Sequence, residues 1–411
     1  MFNQKTTIMK KSKLVMFMFV MGIALVSCKK EGCTDPTALN YSEEAKKDDG
    51  SCAYKLAEDE LAGSVSGTKN LDAAVTYKLV GPLIVEDGAT LNIPAGTVIK
   101  AKEGFNNYIL VLQGGKINVN GTALNPVKIT ADKDNAGQGY WGGLIINGRA
   151  PLAGGTIGST EISSAFSYGG TDPNDNSGTL TYLILANTGA RSSADVEHNG
   201  LTLNGVGNGT TIENIYIPDG ADDGIEFFGG TVDVSNLLVV NSDDDMFDFT
   251  QGYSGTLSNA YGIWETGFLS SESDPRGIEA DGNLDGNFPT HTGQSNFTIN
   301  NITFDLRLAQ ASDTDVSNVT NKMQDVIKIR RGAKATITNA LVKGTGTAID
   351  LIDFTDGKGE GDITSVISLT NQLSSAHLGG DIKPVTASGA VIESGNTGCP
   401  VNIFSWTNYP F

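Results

Sequence analysis

Residues 212–230 read IENIYIPDGADDGIEFFGG, and residues 234–252 read VSNLLVVNSDDDMFDFTQG. The second stretch repeats the first at a constant offset of 22 residues. Ile212, Asn214, Ile215, Ile217, Asp222, Asp223, Glu226, Phe227 and Gly230 recur as Val234, Asn236, Leu237, Val239, Asp244, Asp245, Asp248, Phe249 and Gly252. A fixed period of this size predicts a solenoid, in which each repeat is one coil that cannot bury its apolar face alone.

The texture on both sides agrees with this reading. From about Val75, short β-rich runs such as ATLNIPAGTVIKA (89–101) and WGGLIING (141–148) alternate with Gly, Asn and Asp. Runs of four to seven residues between turn formers predict strands, and no long window keeps a helical period. A second periodic device joins the coils. An aliphatic residue, any residue, Asn, then a small or aliphatic residue recurs around Asn214, Asn236, Asn259, Asn301 and Asn339. In stacked coils these asparagines would form a ladder, each amide bonding the backbone of the next turn, and Asn tolerates the left-handed conformation of a corner. The expected fold is all-β, a single-stranded parallel β-helix of roughly ten to twelve coils, about 50 Å long at ~4.8 Å per coil. The stretches 152–178, 265–295 and 308–324 break the rhythm and are expected to project as loops, where recognition usually sits. Residues 56–80 and the aromatic tail Phe404, Trp406, Tyr409 and Phe411 are the expected end caps.

The first 27 residues read as an export signal. Lys10, Lys11 and Lys13 precede a 13-residue apolar run, Leu14 to Val26, too short to span a bilayer stably. It ends in Leu25-Val26-Ser27-Cys28, which resembles a bacterial lipobox and implies lipidation of Cys28. The absence of aspartate after that cysteine leans towards the outer membrane, its periplasmic or surface face left open. The expected organisation is a signal peptide over 1–27, lipid attachment and spacer over 28–55, a linker or N-terminal cap over 56–74, and the β-helix over 75–411. The chain from Cys28 carries 24 basic and 47 acidic side chains. That balance argues against nucleic acid and anionic membrane surfaces as partners. Cys33 and Cys52 bracket CTDPTALNYSEEAKKDDGSC and are expected to pair, since disulfides persist in exported proteins. Closing that loop would constrain the unfolded chain by roughly 3 kcal/mol. Within it, Asp35, Asn40, Asp48 and Asp49 offer calcium ligands, with a stapled spacer as the preferred reading. Cys399 is left over as a buried thiol.

Several blocks together carry a resemblance: GGKINVNGTALNPVKITAD (114–132), YWGGLIINGRAPL (140–152), YGGTDPNDNSGTLTYLIL (168–185), NGLTLNGVGNGTTIENI (199–215) and DDGIEFFGGTVDVSNLLVV (222–240). They are similar to right-handed parallel β-helix lipoproteins of Bacteroidetes, within the wider pectin-lyase-like fold. The cysteine-bracketed segment likewise resembles an element common in exported Bacteroidetes proteins. The resemblance implies fold and envelope location, and no particular reaction.

The acid-rich turns are the candidate site. Asp222, Asp223 and Glu226 would lie one coil from Asp244, Asp245 and Asp248, with Asp243 adjacent. Carboxylates stacked ~4.8 Å apart repel by about 1 kcal/mol in water and more in a less polar groove. A bound Ca²⁺ would offset this with oxygen ligands, as would raised pKa values or side chains splayed into water. Glu279, Asp281 and Asp285 read as a second acidic loop. The paired acids also raise a polysaccharide lyase or glycoside hydrolase reading. Against it, Lys328-Ile329-Arg330-Arg331 has the wrong order for a β-helix polygalacturonase, His198, His291 and His377 lie in dissimilar contexts, and nothing in the sequence ties Arg276 or Arg330 to the acids. Tyr140, Trp141 and Trp264 read as corner packing in preference to sugar stacking. The expectation is a non-catalytic binding or scaffold module on the outer membrane. It would be held by lipid alone and take an envelope protein or a neutral glycan.

Overall fold

The computed structural model describes residues 30–52, 55–193 and 196–411. The expected signal peptide and the Cys28 lipidation site lie outside the described residues. The chain divides at Leu56/Ala57 into two units.

In the first unit Cys33 and Cys52 form a disulfide. Asp35, Asp48 and Asp49 each close a local turn, accepting from the backbone N–H of Thr37 (2.8 Å), Gly50 (3.1 Å) and Ser51 (2.9 Å). The Asn40 amide donates to the Ser51 carbonyl at 2.6 Å. These side chains brace the loop from within.

The second unit is a right-handed parallel β-helix built on one 24-stranded sheet. Inward alternation decides its register. One unbroken column runs Leu83, Ile109, Leu144, Leu201, Ile225, Phe247, Ile278, Ile327, Ile352 and Ile382, each paired with the next. All but the last are fully buried. Each such side chain contributes about 1.5–3 kcal/mol of transfer free energy. Phe227, Phe249 and Phe297 continue the stack as parallel rings, with centroids 5.0 and 4.3 Å apart.

The sheet begins earlier than expected. Glu60–Val65 already pairs in parallel with Thr76–Val85, so the stretch 56–74, expected as a linker or N-terminal cap, contributes a strand to the sheet. Leu61 and Val65 point inward from a run that reads as polar because its other residues face solvent.

Asn214, Asn236, Asn259, Asn301 and Asn339 all adopt positive φ, between 55° and 60°. They bend each long strand from one face to the next. Each amide donates to the side-chain carbonyl of the preceding asparagine, at 3.1, 2.9, 2.9 and 2.8 Å. The partner is therefore the neighbouring amide, not the backbone, because stacked left-handed corners hold identical side chains parallel at rung spacing. A second ladder, Asn70, Asn92 and Asn118, links earlier coils.

The aromatic tail does not cap an end. Its 3₁₀ turn, Val401–Thr407, lies flat against the outer face of three coils, where Phe404 and Cys399 pack on Leu238, Val240, Tyr261 and Ile263. This explains LLVV at 237–240: a strand covered on both sides has no polar face. Cys399 is a free, buried thiol whose pKa burial pushes up to about 12. Part of the 152–178 stretch also folds back. Gly158–Thr160 and Ser163–Tyr168 form an antiparallel hairpin, and its Ile162 and Phe166 cover Tyr108, Leu110 and Ile145.

Candidate metal centre

The acids lie where a corner meets a short strand. On Ile225–Phe228 and Phe247–Thr250 the residues Ile225, Phe227, Phe247 and Phe249 point into the core, so Glu226 and Asp248 between them face out in register. The column continues through Glu279, Lys328, Asp353 and Lys383. Three residues earlier on each rung a parallel column carries Asp223, Asp245, Arg276, Asp325 and Asp350. Gly224 follows the Asp222-Asp223 pair because a Cβ there would meet the Val239 side chain at 2.5 Å and the Met246 carbonyl at 2.7 Å. Packing, not chemistry, accounts for that part of the Asp-Asp-Gly motif.

Carboxylate oxygens converge within 4.8 Å of one another in four sets: Asp222, Asp223 and Asp244; Asp223, Glu226 and Asp248; Asp245, Asp248 and Glu279; and Asp325, Asp350 and Asp353. Six of the seven acids named from the sequence enter the first three sets. Asp243 does not. It accepts from the backbone N–H of Ser271 at 2.9 Å and from the Ser271 hydroxyl, tying down the loop that follows Trp264.

The two halves of the face differ in charge. Towards the C-terminus the acids have cations. Arg276 contacts Asp274, Glu279 and Asp325, and lies 3.9 Å from Asp245. Arg330 reaches Glu279 and Asp281, Arg331 reaches Asp281 and Asp356, and Lys328 pairs with Asp353 at 2.9 Å. Sequence reading left Arg276 and Arg330 untied to the acids and placed Glu279 and Asp281 in a loop. Both acids stand on the strand Arg276–Asp281. The 251–275 insertion hides that register, although the inward-outward alternation of Ile278, Glu279, Ala280 and Asp281 would align with Phe247 to Thr250.

Towards the N-terminus the support is neutral. The Asn199 amide donates to Glu226 at 2.5 Å, and the Asp245 backbone N–H donates to Asp223 at 2.9 Å. Among the described residues, Oδ1 of Asp244, Asp245 and Asp248 is buried without a hydrogen-bond partner. Asp245 is only 3% exposed. Burial, reinforced by neighbouring carboxylates, holds Asp222, Asp223, Glu226 and Asp245 well above the usual carboxylate range. Burial also pushes Asp244 up to about 7 and Asp248 to about 8. Burial, with Arg276 and Arg331 alongside, lowers Arg330 to about 10. Hard, crowded, under-bonded oxygens are the donor set a Ca²⁺ ion takes.

Two clefts open on this face. One, of about 270 Å³, is lined by Glu161, Tyr168, Glu226, Asp248, Glu279 and Arg330. The other, of about 420 Å³, is lined by Ile157, Leu284, Phe288 and His291, and Ser159 and Leu284 border both. Phe288 and His291 stack with centroids 4.7 Å apart, and Phe288 is 42% exposed. The walls come from the 152–178 and 265–295 stretches that break the repeat. Glu161, on the hairpin turn, has no counterpart in the repeat and left no trace in it.

The other residues singled out from sequence are structural. Trp141 and Trp264 are buried, donating to the carbonyls of Ala186 (2.8 Å) and Ser242 (3.0 Å). His198 is buried between Phe105 and Tyr108, and burial lowers its pKa to about 4. His377 faces Asp381 at 2.9 Å, away from the acids.

Comparison with known proteins gives one finding. A family model described as a pectate-lyase-like beta helix domain matches residues 63–400. No curated protein and no solved structure matches. The chain belongs to the pectate-lyase-like beta-helix family.

Proposed function

We propose that this pectate-lyase-like β-helix is a non-catalytic binding module of the bacterial envelope. Its acidic cleft takes Ca²⁺ and, through that ion and the adjoining apolar pocket, a neutral glycan. The observation that carries the reading is the set of three overlapping carboxylate clusters, in which, among the described residues, one oxygen each of Asp244, Asp245 and Asp248 is buried without a hydrogen-bond partner, and of which only the third holds ion-paired acids, Asp245 and Glu279. A divalent ion offsets their mutual repulsion and keeps open positions for sugar hydroxyls. The exposed Phe288 ring beside the cleft offers a flat apolar surface for a sugar's C–H face. Attachment to the outer membrane through a lipidated Cys28 is part of the same proposal and rests on the export signal alone.

Calorimetric titration of CaCl₂ into the full chain tests it. The expected dissociation constant is on the order of 10⁻⁴ M or tighter, lost in Asp245→Ala and kept in Asp243→Asn. No heat and no thermal shift would remove the reading.

A polysaccharide lyase or glycoside hydrolase is the second reading. It draws support from Arg330, whose guanidinium contacts Glu279 inside the same cleft and whose pKa burial lowers. Assays for unsaturated products and reducing ends on a glycan panel distinguish the two. Turnover that disappears in Asp223→Asn would establish the enzyme instead.

A further inference from the structure

We propose a second binding site on a different face, a lysine-lined cleft that takes a sulfate or phosphate ester of a sugar. Lys100 and Lys128 face outward because Ile99, Ala101, Val127 and Ile129 of the same strands are buried inward. The strands are adjacent and parallel, with Val98 paired to Lys128 and Lys100 to Thr130. The two ammonium groups therefore stand on neighbouring rungs, offset by two residues. Lys133 joins them from the loop that follows. Together they line a cleft of about 500 Å³, with Thr130, Asn187 and Tyr216 among its walls. Asn187 is braced there, accepting from Thr130 Oγ1 at 3.2 Å and donating to the Ala136 carbonyl at 3.0 Å.

The charge pattern makes this cleft unusual in a chain of net charge −19. On the acidic face the cations are committed to ion pairs, as with Arg276, Lys328, Arg330 and Arg331. Among the described residues, Lys100, Lys128 and Lys133 have neither an ion pair nor a side-chain hydrogen bond. Two acids also line the cleft. Asp134 is exposed, and Asp219 accepts from the Asn241 amide at 3.2 Å. Three converging ammonium groups repel one another, and an oxyanion between them reverses that sign. No arginine lines the cleft, so there is no planar fork for a carboxylate. Lysine point charges suit a tetrahedral oxyanion. Between the lysines the walls carry the Thr130 hydroxyl, the Asn187 amide and the Tyr216 ring, with apolar surface from Val98, Ile184 and Pro218 for the carbon skeleton of the sugar.

The test is calorimetry on the full chain at low ionic strength, where exposed charges are least screened. The probes are glucose 6-phosphate and glucose 6-sulfate, with glucose as the neutral control. The expected result is binding of at least one ester and none of glucose. Affinity should fall about tenfold or more in K100Q/K128Q/K133Q and stay within about twofold in K69Q/K116Q, a half-buried and an exposed lysine outside the cleft. Whichever ester binds tighter identifies the oxyanion. The proposal is overturned if neither ester binds better than glucose, if the triple variant binds like the parent, or if the K69Q/K116Q control loses as much. CaCl₂ titration of the same triple variant should be unchanged, which separates this site from the acidic cleft.

Discussion

The backbone N–H of Asp245 donates to the carboxylate of Asp223, one coil away, at 2.9 Å. One acidic turn thus supplies a hydrogen bond to the acid stacked on it. That bond offsets only part of the repulsion, because Asp222, Asp244, Asp248 and Glu226 crowd the same rungs.

Stability should fall as pH rises through neutrality. The buried carboxyls hold protons that the unfolded chain releases near pH 4, so their contribution is present below that value and is lost as pH climbs through the raised values, about 7 for Asp244 and about 8 for Asp248. His198 acts in the opposite sense, since its neutral buried form costs stability only below about pH 6.5. Thermal melts between pH 6.5 and 9 in EDTA isolate the acids, and a drop of about 5 °C or more is expected. CaCl₂ should abolish most of that drop. A flat profile in EDTA would mean that the carboxylates are solvated and unstrained.

Asp248→Asn should separate stability from binding. The substitution removes one charge from two of the clusters, so in EDTA the variant should melt higher than the parent at pH 8. In calcium the order should reverse. Arg276→Ala should do the opposite of relief. It strips Asp245, Glu279 and Asp325 of a shared cation and should cost about 3–5 kcal/mol in urea denaturation.

Asn259 sits mid-ladder, donating to Asn236 and accepting from Asn301 at 2.9 Å each, with φ at 59°. Asn259→Gly keeps the left-handed corner and loses two hydrogen bonds, an expected cost of about 1–3 kcal/mol. Asn259→Ala adds the Cβ penalty of that corner, about 1–2 kcal/mol more. Equal costs for the two would show that the corner itself carries no strain.

Phe404 is fully buried beneath the folded-back tail. Phe404→Ala should cost about 3–5 kcal/mol. Deleting residues 399–411 should uncover Leu238, Val240, Tyr261 and Ile263, read out as new binding of a hydrophobic dye and as self-association in sedimentation. A tail that merely decorated the surface would produce neither.

The parts of this molecule that repeat were legible in advance. Ile212 above Val234, Asn214 above Asn236 and Glu226 above Asp248 follow from one offset of 22 residues. Stacked parallel strands translate a sequence period directly into a spatial one. The six clustering acids came from the same arithmetic. Asp243 fell outside because a single corner residue can turn its carboxylate either way, and here a serine from the next insertion captured it.

Tertiary structure alone decided what the acids meet. Arg276 and Arg330 lie behind insertions that break the count, Glu161 arrives on a hairpin outside the repeat, and the tail returns from the C-terminus to an apolar strip facing outward. Lys100, Lys128 and Lys133 form a cleft only once their strands are wound side by side. A repeat encodes its neighbours through a short, constant separation, whereas contacts closed by long irregular segments depend on where packing lets those segments settle, and no periodic pattern records that.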